Sequence, residues 1–225
     1  MSSFVVVIVN AVDGVYADGR LTTTWYASDY LSRLPMSSQQ FRPNDELGYP
    51  GRTYRFYNGS SIFSFGSGLS YTTFNYTLLS TQKMVAKTLS CGQQCQMLHY
   101  NATSYVPPCP AALVSDLNCE NDITIEVLVS NNGKLDGGNV VTVYSRPPSG
   151  VIGAPIKQLV AFQKVFVKAG QSETVKFELS SCKSLVFVTE TAYEVVPMGE
   201  NTFIIGGDAD DTIEFPFHVY LKEEN

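Results

Sequence analysis

Cys91, Cys95 and His99 follow one another at a constant spacing, Cys-x3-Cys-x3-His, and either Cys109 or Cys119 lies close enough behind them to complete a set of four ligands. Thiolates and an imidazole in such a cluster could bind zinc. The spacing fits none of the common zinc patterns, however. The same stretch is rich in proline and polar residues, and the chain holds three acceptor sequons, Asn58-Gly-Ser, Asn75-Tyr-Thr and Asn101-Ala-Thr. Sequons together with clustered cysteines point to an oxidising secretory route, where thiols pair. The expectation is two disulfides supplied by Cys95, Cys109, Cys119 and Cys182, with Cys91 free, no metal, and glycan on at least one of Asn58, Asn75 and Asn101. Four cysteines allow three connectivities, and the sequence does not choose among them.

No other constellation reads as catalytic. Asp116, Glu120, Asp122, Asp208, Asp210 and Asp211 occur in polar clusters of the kind that solvated loops carry. His99 and His218 are the two histidines, and neither has a nucleophile in an elbow. Gly66-Ser67-Gly68 flanks a serine with glycine but lacks the G-x-S-x-G spacing and the strand-to-helix setting. Tyrosine and phenylalanine number 13 each, beside the lone Trp25. They are dispersed along the chain, which favours packing in core and junctions over a sugar-stacking platform.

The elements that must position these residues are strands. In Ile123–Val129, Ile123, Ile125, Val127 and Val129 fall on one face, and Val175, Phe177 and Leu179 do the same further on. Turn signals at Asn132-Gly133, Asp136-Gly137-Gly138, Pro147-Pro148, Ala169-Gly170 and Met198-Gly199 punctuate the pattern. Strands are predicted near 71–79, 122–130, 139–145, 157–167, 173–180, 184–190, 201–206 and 211–220, and no stretch has a helical period capped at both ends. Such a succession of short strands predicts an immunoglobulin-like sandwich. Residues 80–121 read as a Cys-rich insertion, a loop long enough to need a staple. Ahead of the sandwich, Val5–Val9 and Leu21–Tyr26 read as strands too few to close a core.

With 225 residues the chain has room for one or two domains. A net charge of -6, with lysines and arginines scattered singly, leaves no basic face for nucleic acid. The apolar run Phe4–Val9 is far shorter than the roughly 20 residues that cross a bilayer. It also lacks the positive flank of a signal peptide.

The segment GYPGRTYRFYNGSSIFSFGSGLSYTTFNYT (Gly48 to Thr77) resembles the passage by which plant-type β-xylosidases and α-arabinofuranosidases of glycoside hydrolase family 3 enter a C-terminal fibronectin type III-like domain. The likeness runs through DGRLTTTWYASDYLSRLPM (Asp18 to Met36) and IKQLVAFQKVFVKAGQSETVKFELSSCKSL (Ile156 to Leu185), so that nearly the whole chain is covered. Departures exist. Thr22 and Ala27 stand where proline is usual, Ser67 replaces an aromatic, and the helix-forming sequence before the motif is absent. Val5–Asp13 also faintly resembles an earlier strand of the second domain, as though a βα unit were deleted before Asp18.

The resemblance implies a mainly β chain. Residues 1–69 would be a remnant of an α/β sandwich domain, and 70–225 a fibronectin type III-like sandwich. A (β/α)8 barrel alone needs roughly 250 residues, so the family's nucleophile has no counterpart here, and its acid/base residue lies upstream of the part present. Retaining hydrolysis needs two carboxyl groups about 5–5.5 Å apart, and neither maps onto this chain. The resemblance thus implies a structural portion of an extracellular xylan- or arabinan-degrading enzyme, inactive alone, without cofactor, partnered by the missing catalytic domains or cell-wall polysaccharide. A sugar-binding accessory module, or a partial reading of a gene for the full enzyme, are the alternatives.

Overall fold

The computed structural model describes residues 19–33, 37–87, 95–207 and 212–222. The Phe4–Val9 run, Cys91, Asp208, Asp210 and Asp211 lie outside the described residues. In chain order the elements are β1 (Trp25–Tyr26), α1 (Tyr30–Arg33), α2 (Thr53–Phe56), β2 (Ser61–Phe63), β3 (Phe74–Thr81), β4 (Met84–Lys87), β5 (Ala111–Leu113) and a 3-10 turn over Val114–Asp116. Then follow β6 (Asn121–Asn131), β7 (Gly137–Arg146), β8 (Gln158–Val167), β9 (Ser172–Ser180), α3 (Ser181–Leu185), β10 (Phe187–Val188), β11 (Glu194–Pro197), β12 (Gly199–Ile205) and β13 (Ile213–Leu221).

The alternation seen in the sequence becomes the inner lining of two sheets. Strands β3, β6 and β9 form one, in that order, and β4, β13, β12, β7 and β8 form the other. Ile123, Ile125, Val127 and Val129 of β6 and Val175, Phe177 and Leu179 of β9 pack in one core with Val141 and Val143 of β7, Phe203 and Ile205 of β12, and Phe215, Phe217 and Val219 of β13. Each of these aliphatic or aromatic side chains contributes roughly 1.5–3 kcal/mol on burial. Together they define an immunoglobulin-like sandwich. Seven of the predicted strands appear within about three residues of their expected ends.

The first strand changes sheets. β3 pairs antiparallel with β6, and after a two-residue step β4 runs parallel to β13 at the edge of the opposite sheet. Lys87, at the end of β4, is only 5% exposed and sits 2.6 Å from Asp122. Its ammonium group also donates to Asn118 O, while Asp122 accepts from the Ser181 N–H and hydroxyl. A buried lysine thus ties β4, the start of β6 and α3 together.

Four expectations need correction. The strand predicted at 184–190 is interrupted. Its beginning belongs to α3, which starts where Asp122 receives the Ser181 N–H and where Cys182 is bonded to Cys119, so a tertiary cap and a cross-link override the local β propensity of Val186–Val188. The insertion at 80–121 is not a loop throughout: it supplies β4 and β5, and β5 joins β11 and β10 in a three-stranded sheet. Ala111 and Ala112 carry little strand signal by themselves, and their pairing with Val196 and Pro197 decides the conformation. β11 itself has Val195 and Val196 buried on both faces, which erases the alternation that reveals a half-buried strand. In the N-terminal part the extended stretch expected over Leu21–Tyr26 shortens to Trp25–Tyr26, and α1 and α2 are single turns of helix that no capped period announces.

Candidate interdomain face

Residues 19–69 lie along the outer side of the five-stranded sheet and are fastened to it at several points. The backbone first folds on itself. Gly66 N donates to Leu21 O, and Leu21 N to Ser67 O, which sets the DGRL and FGSG segments side by side. Gly66 has φ +83, and a Cβ there would meet the Tyr144 hydroxyl at 2.7 Å, so only glycine lets the chain pass over that ring. Gly51, at φ +87, is equally confined, because a Cβ would press on Phe56 O.

Aromatic rings fill the contact. Tyr54 of α2 stacks on Phe65 with centroids 4.0 Å apart, and both meet Tyr144 of β7 edge-on. Tyr144 is fully buried beneath them. A second cluster holds the segment's own fold: Tyr26 stacks on Tyr30 at 4.1 Å, and Tyr57 meets both edge-on. The buried Tyr30 hydroxyl donates to Gly51 O and lies 3.2 Å from the Tyr49 hydroxyl. Burial and the Tyr49 contact push the Tyr30 phenol well above the usual tyrosine range.

Polar bonds complete the fastening. Arg20 donates to Asn139 Oδ1, Arg55 to Gln158 Oε1, and the Leu159 N–H to the Tyr54 hydroxyl. Arg42 spans furthest. Its guanidinium donates to Gly153 O and Val188 O and lies 5.2 Å from the Phe56 ring centroid, combining charge-assisted hydrogen bonds with a cation–π contact. Several large apolar side chains of the segment stay exposed. Trp25 and Phe63 pair edge-to-face across β1 and β2, and both are exposed, as are Ile62 and Leu31.

The residues singled out for chemistry are scattered. Cys95 is bonded to Cys109, and Cys119 to Cys182. No cluster of three metal-ligating side chains occurs among the described residues. Asn58, Asn75 and Asn101 are all exposed, on a loop after α2, on β3, and beside the Gly150 turn. Asp122 is committed to Lys87 and α3, Asp116 accepts from the Ser115 hydroxyl, and Glu120 from Asn118. His218 lies 3.3 Å from Glu200 on the solvent side of β13. Sequence reasoning missed the anchoring roles of Arg20, Arg42 and Arg55. Only their partners across the junction, more than a hundred residues away, make them visible.

Residues 139–209 match the model of the fibronectin type III-like domain. The chain is similar to beta-D-xylosidase 1 of Arabidopsis thaliana, with 39% identity over 193 residues, 84% of this chain and 24% of that protein. It is likewise similar to beta-xylosidase/alpha-L-arabinofuranosidase 2 of Medicago sativa subsp. varia, 35% identical over 84% of this chain and 23% of the relative. The chain corresponds to a C-terminal portion of glycoside hydrolase family 3 enzymes. It spans about a quarter of the length of the curated relatives it matches. Among solved structures, the family 3 exo-beta-xylosidase XlnD in complex with a xylobiose aziridine probe superposes with TM-score 0.67 over 93% of this chain and 25% of that one, at 23% identity, a likeness of fold. A beta-D-glucoside glucohydrolase from Trichoderma reesei gives TM-score 0.65 at 26% identity, over 92% of this chain and 27% of that one. The match is to the C-terminal, fibronectin type III-like part of these enzymes, an accessory portion of them. No helix among the described residues is long and apolar enough to cross a membrane.

Proposed function

We propose that this chain is the non-catalytic brace of a β-xylosidase or α-arabinofuranosidase, seating the catalytic domains on the open face of residues 19–69. The carrying observation is the exposed apolar pair Trp25 and Phe63, packed edge-to-face across the two-stranded sheet β1–β2, with Ile62 of β2 and Leu31 of α1 exposed close by in the chain. A two-stranded pairing is marginal in water, and large apolar side chains left exposed on it call for a partner. Behind that face the Tyr54–Phe65–Tyr144 contact and Arg42 hold the segment to the sandwich, so a partner's position would be transmitted to a rigid body.

The reading of residues 1–69 as the end of an α/β domain fits this arrangement, with the boundary at Ser70 where the chain enters the sandwich. Two disulfides and three exposed sequons support an extracellular setting and glycan on Asn58, Asn75 or Asn101. Xylan and arabinan would be the parent enzyme's substrates, and this chain would contribute position, not chemistry.

The test is association. Separately produced barrel and α/β domains of a plant relative, lacking their own C-terminal portion, are mixed with this chain and run on a sizing column. A one-to-one complex, lost in a Trp25→Ala/Phe63→Ala double variant, is the expected result. Absence of any complex, or a complex indifferent to both substitutions, would overturn the reading.

A further inference from the structure

Two clefts flank the β10–β11 hairpin, one on each side. The larger, about 310 Å³, is lined by Arg55, Gln158, Lys183 and Glu194. Its one ring, Phe187, is 3% exposed and offers no face to a ligand. The smaller, about 170 Å³, has a different chemistry: Gln96, His99, Glu190, Thr191 and Tyr193 line it beside Ile152. Tyr193 is 55% exposed, so its ring is open to contact. Among the described residues, His99, Glu190 and Tyr193 leave their polar ends without a protein partner.

The position of these groups is fixed. The Cys95–Cys109 bond holds the segment carrying His99 next to β5, where Gln96 N donates to Ala111 O. Ile152 N donates to His99 O, joining that segment to the Gly150 turn. Opposite, the 189–193 turn is closed by Thr189 N to Tyr193 O, Ala192 N to Thr189 O, and Tyr193 N to the Thr189 hydroxyl, with Ala192 at φ +65. A cleft between two cross-braced walls is preformed, as binding sites usually are.

We infer that this smaller cleft binds one ring of a neutral saccharide chain through the Tyr193 face and the side chains of His99, Glu190 and Gln96. An exposed aromatic ring with a few uncommitted donors and acceptors around it suits a ring that has C–H groups on one face and hydroxyls at its edge. The cleft has no lysine or arginine in its lining and one carboxylate, which disfavours anions such as uronates or phosphates. Two potential metal ligands, His99 and Glu190, are too few for a cation site. The volume lies below the roughly 300–1,000 Å³ of sites that engulf a drug-sized ligand, so one ring of a longer chain is held, with a dissociation constant on the order of 1 mM. Such a contact would keep the enzyme near polysaccharide without competing with its active site.

The full chain, produced through a secretory host, is run in native affinity gels containing soluble arabinoxylan, and titrated with xylohexaose by NMR. Retardation that falls at least fivefold in Tyr193→Ala and in His99→Ala, but not in Phe162→Ala on the exposed face of β8, is the expected result. Unchanged melting in the variants separates lost binding from lost folding. No retardation of the native chain, or equal retardation of native and Tyr193→Ala, would overturn the inference. The measurement uses this chain alone, so failure to join the catalytic domains leaves it standing, and the reverse also holds.

Discussion

The Tyr54 and Phe65 rings lie 4.0 Å apart with their planes within 19°, and Tyr144 stands edge-on beneath both. One residue belongs to the helical turn α2, one to the glycine-rich passage and one to the sandwich, so the trio fastens the N-terminal segment to its support. Phe65→Ala removes two of the three ring contacts and should cost about 1–3 kcal/mol. Denaturant unfolding followed by near-ultraviolet circular dichroism checks the value, and a loss below about 0.5 kcal/mol would deny the trio this role.

Proteolysis should find the same joint from the other side. Leu69 and Tyr71 are 85% and 64% exposed, and chymotrypsin should cut there first, leaving a resistant core that begins near Ser70. The released N-terminal piece should stay attached to the core on a sizing column and dissociate in Phe65→Ala. A first cut inside the 74–221 sandwich would contradict the boundary.

Lys87 and Asp122 should respond unequally to substitution. Asp122→Ala strands a buried ammonium and uncaps α3, for a loss of about 3–5 kcal/mol. Lys87→Met leaves Asp122 its two bonds from Ser181 and should cost less. Equal losses in equilibrium unfolding would mean that the ion pair, not the cap, carries the stabilisation.

Reduction should act in two unequal steps. The Cys119–Cys182 bond closes a separation of 63 residues and Cys95–Cys109 one of 14, which correspond to about 4 and about 3 kcal/mol on a chain-entropy basis. Serine pairs at each position, compared by thermal melts, test the order. Peptide mapping that recovers these thiols free from a secreted preparation would contradict the pairing.

Alkali should loosen the N-terminal segment. The Tyr30 phenol is held protonated in the fold by burial and by Tyr49, whereas in the unfolded chain it ionises near pH 10. Its contribution is therefore complete below about pH 10 and fades as pH rises toward the elevated folded value. Tyr30→Phe should flatten stability against pH above 10, at a cost near 1 kcal/mol at neutrality from the lost bond to Gly51 O. Turnover of aryl β-xylosides by the isolated chain, abolished by changing one of its carboxylates, would contradict its non-catalytic role.

The sandwich was legible because its core strands bury one face only. Ile123 to Val129 and Val175 to Leu179 print a period of two, and Gly133, Gly138 and Gly170 mark their ends. β11 was hidden because Val195 and Val196 are both buried, and β5 because Ala111 and Ala112 lack an intrinsic preference for strand. α3 depends on Asp122, almost sixty residues earlier, which no local window contains. The cleft beside Tyr193 was illegible for a similar reason. His99 and Tyr193 are neighbours only through the insertion and the hairpin, and each looks unremarkable in its own stretch of sequence.

The switch of the first strand from one sheet to the other has a mechanical meaning. β4 runs parallel to β13, pairing Met84 with His218 through Lys87 with Leu221. Tension arriving from the N-terminal side and leaving through the C-terminal end of β13 pulls those two strands past each other lengthwise. The ladder is then loaded as a whole, in shear, and cannot be peeled one bond at a time. A domain fixed to a large enzyme at one end and dragged at the other would yield at that seam only when all of its bonds fail together.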